Sequence, residues 1–125
     1  MRVAMDANAL LMPVEQGVRV FDELDDLLGE YEAVVPESVR EELDKLAAQG
    51  GEAGTAASVG ADLADRCETV ASEEQYADDA LYDLATEGDV DAVVTNDGPL
   101  KDRLLDAGVP VIHLRGRNQL TITRP

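Results

Sequence analysis

Residues 2–8 read Arg-Val-Ala-Met-Asp-Ala-Asn, an apolar run that stops abruptly on a carboxylate. A short apolar run predicts a buried strand, and burial on both faces is typical of a strand in a parallel sheet. Asp6 would then lie at the carboxyl end of this strand. Because ligands of open α/β sheets bind outside the carboxyl ends of the strands, Asp6 is the first candidate for a functional site.

A second segment repeats this form. Residues 91–97 read Asp-Ala-Val-Val-Thr-Asn-Asp, again an apolar run followed by small polar groups and an acid, and this makes Asp97 the second candidate. Further strands are predicted at 31–35, near Val70 and at 109–114. Five strands that alternate with helices predict an α/β domain with a parallel sheet of about five strands flanked by helices.

Composition predicts one folded domain over residues 1–125. The chain is 45% hydrophobic and its apolar periodicity persists along most of its length, which argues against disorder. A single cysteine, Cys67, excludes an intramolecular disulfide. We find neither a basic region followed by a long apolar core nor a run of about 18 apolar residues, so we expect a cytoplasmic protein without a membrane span.

The net charge of −17 is extreme, with 27 acids against 10 Lys plus Arg. Such a surface repels nucleic acid and anionic membranes at ordinary ionic strength. Few lysines and many acids and alanines are, however, typical of organisms that keep molar salt in the cytosol, where the Debye length is about 3 Å. We therefore expect a halophilic origin, with an acidic mesophilic protein as the alternative, and treat the net charge as a poor guide to partners.

Three segments are less regular. Residues 7–13 predict a loop or a short helical turn closed by Pro13, after which a helix begins at Gly17 and ends at Gly29. Residues 49–60 contain four glycines and predict a loop leading into a helix that ends near Cys67. Within the basic C-terminal tail, 115–125, Arg115 and Arg117 either lie along a phosphate backbone or pair with the protein's own acids.

Two helices add further acids. Helical spacing places Glu42 on the border of the apolar stripe of its helix, where it is either a site residue or a solvated rim residue. The same helical spacing places Asp78 on the apolar side of its helix and Asp79 toward solvent. Asp78 is also a candidate N-cap, a role compatible with a site. Cys67 and His113 are interpreted as structural residues.

Asp6, Glu42, Asp78 and Asp97 come from four separated parts of the chain. Carboxylate oxygens without His or Cys are ligands suited to Mg²⁺ or Mn²⁺. Carboxylates brought close together repel one another unless a cation neutralises them, and such an ion activates water for phosphoryl displacement. The cluster therefore predicts hydrolysis of a phosphodiester.

Four motifs in order resemble the PIN domain family. They are D-x-N at Asp6 and Asn8, V-P-x-x-V with E-E-L at 35–43, A-D-D-A-L at 77–81, and V-V-T-N-D at 93–97 followed by G-V-P-V-I at 108–112. Each motif is weak alone, but together they cover nearly the whole chain. Within the family the chain is most similar to small, single-domain archaeal members akin to VapC-type toxins and to the PIN nucleases of ribosome biogenesis.

The resemblance implies a three-layer sandwich, Mg²⁺ or Mn²⁺ bound by the acids, and endonucleolytic cleavage of RNA. It implies that Asp6 and Asp78 hold the metal most directly, with Asp79 as the alternative in register. Asp97 and Glu42 would complete the acidic pocket, and Asn8 and Thr95 would support it by hydrogen bonding. It also implies RNA as substrate, and as possible partners a second copy of the chain, an antitoxin or a ribosome-assembly factor.

Three other functions compete with this one. A non-catalytic PIN domain that binds RNA or protein is the main alternative, although none of the four acids is missing. A phosphoryl-receiver domain needs an acid pair after the first strand and a Lys ending the last, and neither is present. A D-x-D phosphatase is excluded because Asn8 stands where the second Asp belongs.

Overall fold

The computed structural model describes residues 1–74 and 76–125. Its strands are β1 (Arg2–Met5), β2 (Glu32–Pro36), β3 (Glu68–Val70), β4 (Ala92–Val94), β5 (Val111–Arg115) and β6 (Gln119–Thr123). Its helices are α1 (Ala7–Glu15), α2 (Val20–Leu28), α3 (Glu37–Ala48), α4 (Gly51–Ala64), α5 (Ala77–Thr86) and α6 (Gly98–Asp106).

The strands form one sheet in the order β3-β2-β1-β4-β5-β6. Strands β1 to β5 are parallel, and β6 is antiparallel to β5. The predicted α/β class, with a mostly parallel sheet flanked by helices, is confirmed. The chain moves from β1 outward to β2 and β3 and then returns to β4 on the other side of β1, so the direction of winding reverses between β1 and β4. Ligands of open α/β sheets bind at such a switch point.

The centre of the sheet is apolar on both faces. Val3, Ala4 and Met5 of β1 are fully buried, and so are Val93 and Val94 of β4. This burial agrees with the near-continuous hydrophobic runs expected of parallel strands covered on both faces. The two central strands therefore form a rigid base for whatever follows their carboxyl ends.

The expectation of a loop or short turn at residues 7–13 was wrong. Helix α1 runs from Ala7 to Glu15 and contains Pro13. The Asp6 side chain caps its N-terminus, and Ala9, Leu10 and Met12 are buried, so capping and burial outweigh the hydrogen bond that proline removes. The next helix begins at Val20, three residues later than predicted.

Residues 51–60 belong to helix α4 and do not form the predicted loop. The glycines inside the helix allow close packing. A Cβ added at Gly54 would lie 3.1 Å from the carbonyl oxygen of Ala47 in α3. One added at Gly60 would lie 3.2 Å from the carbonyl oxygen of Leu10 in α1 and 3.3 Å from a methyl group of Leu43 in α3. Glycine thus lets α4 approach two helices at once.

The C-terminal segment forms strand β6 where a basic tail was predicted. Leu120 pairs with Leu114 and is buried, and the amide of Leu120 donates a hydrogen bond of 3.1 Å to Glu23 of α2. The ring of His113 lies 2.6 Å from the hydroxyl oxygen of Thr123, which supports its structural interpretation. In the part of the chain that the structure describes, no helix is long and apolar enough to cross a membrane.

Candidate active site

Asp6 lies at the carboxyl end of β1, as predicted, and is only 5% exposed. Its carboxylate accepts a hydrogen bond of 2.7 Å from the amide of Ala9 and so caps α1. Burial raises the pKa of Asp6 to about 7, and hydrogen bonds from Thr95 and the Ala9 amide offset part of this rise. A buried carboxylate whose ionisation is disfavoured needs a nearby positive charge to remain ionised at neutral pH.

Thr95 and Asp97 follow the neighbouring strand β4. Thr95 is fully buried, and its hydroxyl accepts a hydrogen bond of 3.0 Å from the amide of Asp97. The Asp97 carboxylate caps α6 by accepting a hydrogen bond of 3.1 Å from the amide of Leu100. The negative charge of Asp97 contributes to the raised pKa of Asp6. The carboxyl ends of β1 and β4 therefore place Asp6 and Asp97 close enough for their charges to interact.

Asp78 and Glu42 extend this acidic cluster outward. Asp78, in the first turn of α5, also contributes to the raised pKa of Asp6. The pKa of Asp78 itself is raised, first by desolvation and then by the charge of Asp97. The pKa of Glu42 is raised by desolvation and by Asp78. The four predicted acids thus form one electrostatically connected set, with Asp6 at its buried end and Glu42 exposed at its outer end.

Asp79 lies beside Asp78 but has a different partner. Its carboxylate forms an ion pair of 2.8 Å with Arg103 of α6, and the Arg103 guanidinium lies 4.1 Å from the centre of the Tyr82 ring. Helical spacing predicted Asp78 on the apolar side of α5 and Asp79 toward solvent, and both predictions were wrong, because Asp78 is exposed and Asp79 is half-buried. Asp78 is not the N-cap of α5, because Tyr76 occupies that position.

An open groove of about 590 Å³ crosses the outer part of the cluster. Glu42 and Asp78 line it together with three residues that the sequence did not single out, Ser38, Tyr76 and Arg103. Ser38 is 8% exposed, and within residues 1–74 and 76–125 its hydroxyl has no hydrogen-bond partner. Sequence offers one signal for Ser38, its position one helical turn before Glu42 on α3.

The sequence profile of one family, described as a PIN like domain, matches residues 3–117. The chain belongs to the PIN-like domain family. None of the curated proteins matches the chain significantly.

Solved structures share this PIN-like fold. The PIN domain endonuclease Utp24 superposes with a TM-score of 0.80 at 23% identity, covering 99% of this chain and 92% of that one. VapBC2 from Rickettsia felis, solved with a DNA fragment from its promoter, gives 0.67 at 13% identity and covers 90% and 98%. A domain of a functionally unknown protein from Methanocaldococcus jannaschii gives 0.69 at 16% identity and covers 94% of each chain.

The acids of this PIN-like domain do not form a closed metal cage. Among the described residues, no three His, Cys, Asp or Glu side chains converge closely enough to enclose an ion. The donors are nevertheless hard carboxylate oxygens, and the mutual charges of Asp6, Asp78 and Asp97 disfavour their joint ionisation. An open set of this kind suits a cation that keeps several of its waters and takes only one or two carboxylates from the protein.

The remaining predicted residues of the PIN-like domain lie around the same edge of the sheet. Asn8 is exposed on the first turn of α1. Arg115 ends β5, which runs parallel to β4, and Arg117 lies in the turn that leads to β6, both exposed. Neither arginine forms an ion pair with another described residue. Burial raises the pKa of the Cys67 thiol to about 11, which disfavours the reactive thiolate.

Proposed function

We propose that this PIN-like domain is a metal-dependent endoribonuclease that hydrolyses RNA phosphodiester bonds. The observation that carries the proposal is Asp6, a buried carboxylate at the topological switch point whose pKa is raised to about 7 by burial and by neighbouring acids. A protein gains nothing in stability from such an arrangement. Perturbed acids that gather at a ligand-binding edge are typical of functional sites.

Mg²⁺ or Mn²⁺ is the cofactor that fits this donor set. Asp6, Asp78, Asp97 and Glu42 are the proposed metal-binding and catalytic residues, because they supply only hard oxygen ligands. Asp79 is the alternative to Asp78, although its ion pair with Arg103 engages it elsewhere. When bound, the ion would lower the pKa of a water molecule and stabilise negative charge on the phosphate.

The protein side chains would hold the reacting groups in place. The Ala9 amide and Thr95 fix the Asp6 carboxylate at the base of the site. Glu42, exposed at the outer end and with a raised pKa, is suited to accept the proton of the attacking water. Asn8 would support the site by hydrogen bonding.

Arg115 and Arg117 are the proposed contacts to the RNA backbone. They are exposed at the edge of the sheet that carries the acids, and an ion pair does not neutralise either of them within the described chain. Arginine binds phosphate bidentately and is well suited to this role. Arg117 lies in the turn between β5 and β6, and Arg115 is the last residue of β5 beside that turn.

The similarity to the endonuclease Utp24 and to VapBC2 supports two biological settings, RNA maturation and a toxin-like ribonuclease. A ribosome-assembly factor, an antitoxin or a second copy of the chain are the corresponding partners. The net charge of −17 supports a haloarchaeal cytoplasm as the working environment. Assays therefore belong in molar KCl.

A non-catalytic PIN-like module that binds RNA or protein is the second candidate. One observation favours it, namely that no three of the described acids converge on a closed ion site. Such a module would bind its partner without a divalent cation and without using Asp6.

Cleavage of structured and single-stranded RNA in molar KCl with Mn²⁺ tests the proposal. The wild type, Asp6→Asn, the exposed-acid control Asp106→Asn and a chelator-treated sample are compared. Only the wild type and Asp106→Asn are expected to cut the RNA. Cutting that survives both the chelator and Asp6→Asn would refute the nuclease site, and RNA binding without cutting or metal dependence would favour the non-catalytic module.

A further inference from the structure

The groove beside the acids carries an exposed aromatic ring. Tyr76 is 71% exposed, and it lines the groove together with Glu42 and Asp78. The chain has only four aromatic residues, and the other three are engaged in the fold. Phe21 is buried, the Tyr31 hydroxyl donates to a backbone carbonyl, and the Tyr82 ring lies beneath a guanidinium. Tyr76 is thus the aromatic ring that remains available to a ligand.

The backbone of Tyr76 is anchored although its ring is exposed. It occupies the N-cap position of α5 in an extended conformation, and its carbonyl accepts a hydrogen bond of 3.0 Å from the amide of Ala80. Asp78 follows two residues later in the first turn of the same helix. The backbone therefore holds the ring at the rim of the groove, next to the acids that are proposed to cut.

The groove also contains groups suited to a sugar-phosphate chain. The Ser38 hydroxyl is more than nine-tenths buried, lines the groove and has no partner in the described structure, so a phosphate or sugar oxygen would satisfy it. Lys45 and Arg103, two of only ten basic residues, stand on the same groove. A ligand with both a flat apolar face and anionic or hydroxyl groups matches this lining.

The charge of the protein makes stacking more important here than in most RNA-binding proteins. A chain with a net charge of −17 cannot gather RNA by a positive field, and molar salt screens individual phosphate contacts. Stacking of an aromatic ring on a base needs no positive charge on the protein and accepts any base. Bases in a duplex already have both faces covered, whereas unpaired bases can turn out and stack on a protein ring.

We propose that Tyr76 stacks on an unpaired base beside the phosphodiester to be cut and so determines which nucleotide of the strand is presented to the acids. This inference rests on the proposed endoribonuclease function and adds to it a contact with the base. Tyr76 is then a specificity-determining residue, and Ser38 contacts the sugar-phosphate chain of the same nucleotide. In a duplex a base would have to unstack before the ring could engage it.

Binding of short RNAs that carry the fluorescent base 2-aminopurine tests this inference separately from cleavage. The protein carries Asp6→Asn to block cutting, in molar KCl with Mg²⁺. The 2-aminopurine fluorescence of single-stranded RNA should be quenched when the RNA binds this protein or its Tyr76→Phe derivative. Tyr76→Leu should lose the quenching and weaken Kd about 5- to 150-fold, which corresponds to about 1–3 kcal/mol. Duplex RNA should bind all three proteins weakly and with equal affinity.

Val59→Ala, which removes exposed apolar surface on α4, serves as the matched control and should bind like its parent. Because Tyr76 is exposed, its variants should unfold at the parental temperature, and this is measured alongside. Unchanged affinity in Tyr76→Leu, an absence of quenching in the parent, or a preference for duplex RNA would overturn the inference. Cleavage that survives Asp6→Asn would instead count against the proposed nuclease, while the fluorescence still reports on Tyr76.

Discussion

Replacing Asp6 by Asn should stabilise the metal-free protein at alkaline pH. The fold raises the pKa of Asp6 from 3.8 to about 7, chiefly through burial. Between these two values the folded state binds more protons than the unfolded state, so the free energy of unfolding falls as the pH rises through this window and levels off above it. Each tenfold change in proton affinity corresponds to about 1.4 kcal/mol, so the free energy of unfolding should fall by about 4 kcal/mol over the whole window.

Asn is neutral at every pH and is as good an N-cap as Asp, so it can still accept the hydrogen bond from Ala9. About half of the window lies above pH 5.5. The stability advantage of Asp6→Asn over the wild type should therefore grow by about 2 kcal/mol between pH 5.5 and pH 8. The desolvation of Asp78 and its repulsion by Asp97 are present in both proteins, so of the effects on Asp78 only its coupling to Asp6 enters the comparison.

Urea unfolding in molar KCl with a chelator measures this difference. Asp106→Asn, at the exposed end of α6, is the control and should follow the wild type at both pH values. Adding Mn²⁺ at pH 8 should raise the stability of the wild type above that of Asp6→Asn, because bound metal compensates the buried charge. An equal loss of stability in Asp6→Asn at both pH values would refute the reasoning.

Three further substitutions test the fold and the groove. Gly60→Ala should lower the free energy of unfolding measured in urea by about 1 kcal/mol, because its Cβ would crowd Leu10 and Leu43 by more than the helix gains from alanine; an unchanged or higher free energy of unfolding would show that α4 can shift. Leu120→Ala should cost about 2 kcal/mol if β6 is part of the core, whereas a loose tail would show no change in thermal unfolding. Ser38→Ala removes an unpaired buried hydroxyl, so stability should hold or rise while KM for single-stranded RNA increases; an unchanged KM would contradict its contact with RNA.

The sequence predicted the central strands and the positions of Asp6 and Asp97 because these depend on local order. An apolar run followed by an acid places that acid at the end of a parallel strand, whatever the rest of the chain does. The link between Asp6 and Asp78 was less direct. It rested on the expectation that the four acids share one cation and on the resemblance to a family, since helical spacing alone gives the face of a helix and not its neighbour.

The errors share another cause, because tertiary packing outweighed local preferences. Pro13 lies within α1, where burial compensates for the missing hydrogen bond. Gly54 and Gly60 allow close helix packing in α4, although glycine is a loop signal in sequence. The alternation of Leu120, Thr121 and Ile122 was a strand signal that the arginines of this segment obscured. Exposure of Tyr76 and isolation of the Ser38 hydroxyl, by contrast, exist only in the folded structure.

The most direct test of the proposed site is single-turnover cleavage of single-stranded RNA with Mn²⁺ in molar KCl by single variants of its acids. Asp6→Asn, Glu42→Gln, Asp78→Asn and Asp97→Asn are compared with Asp106→Asn and Glu30→Gln, which alter exposed acids outside the groove. The four site variants should each lose at least about 100-fold in rate, as expected for groups that act on the reacting centre, while both controls cut like the wild type. Equal cutting by site and control variants would contradict the assignment of a single acidic nuclease site.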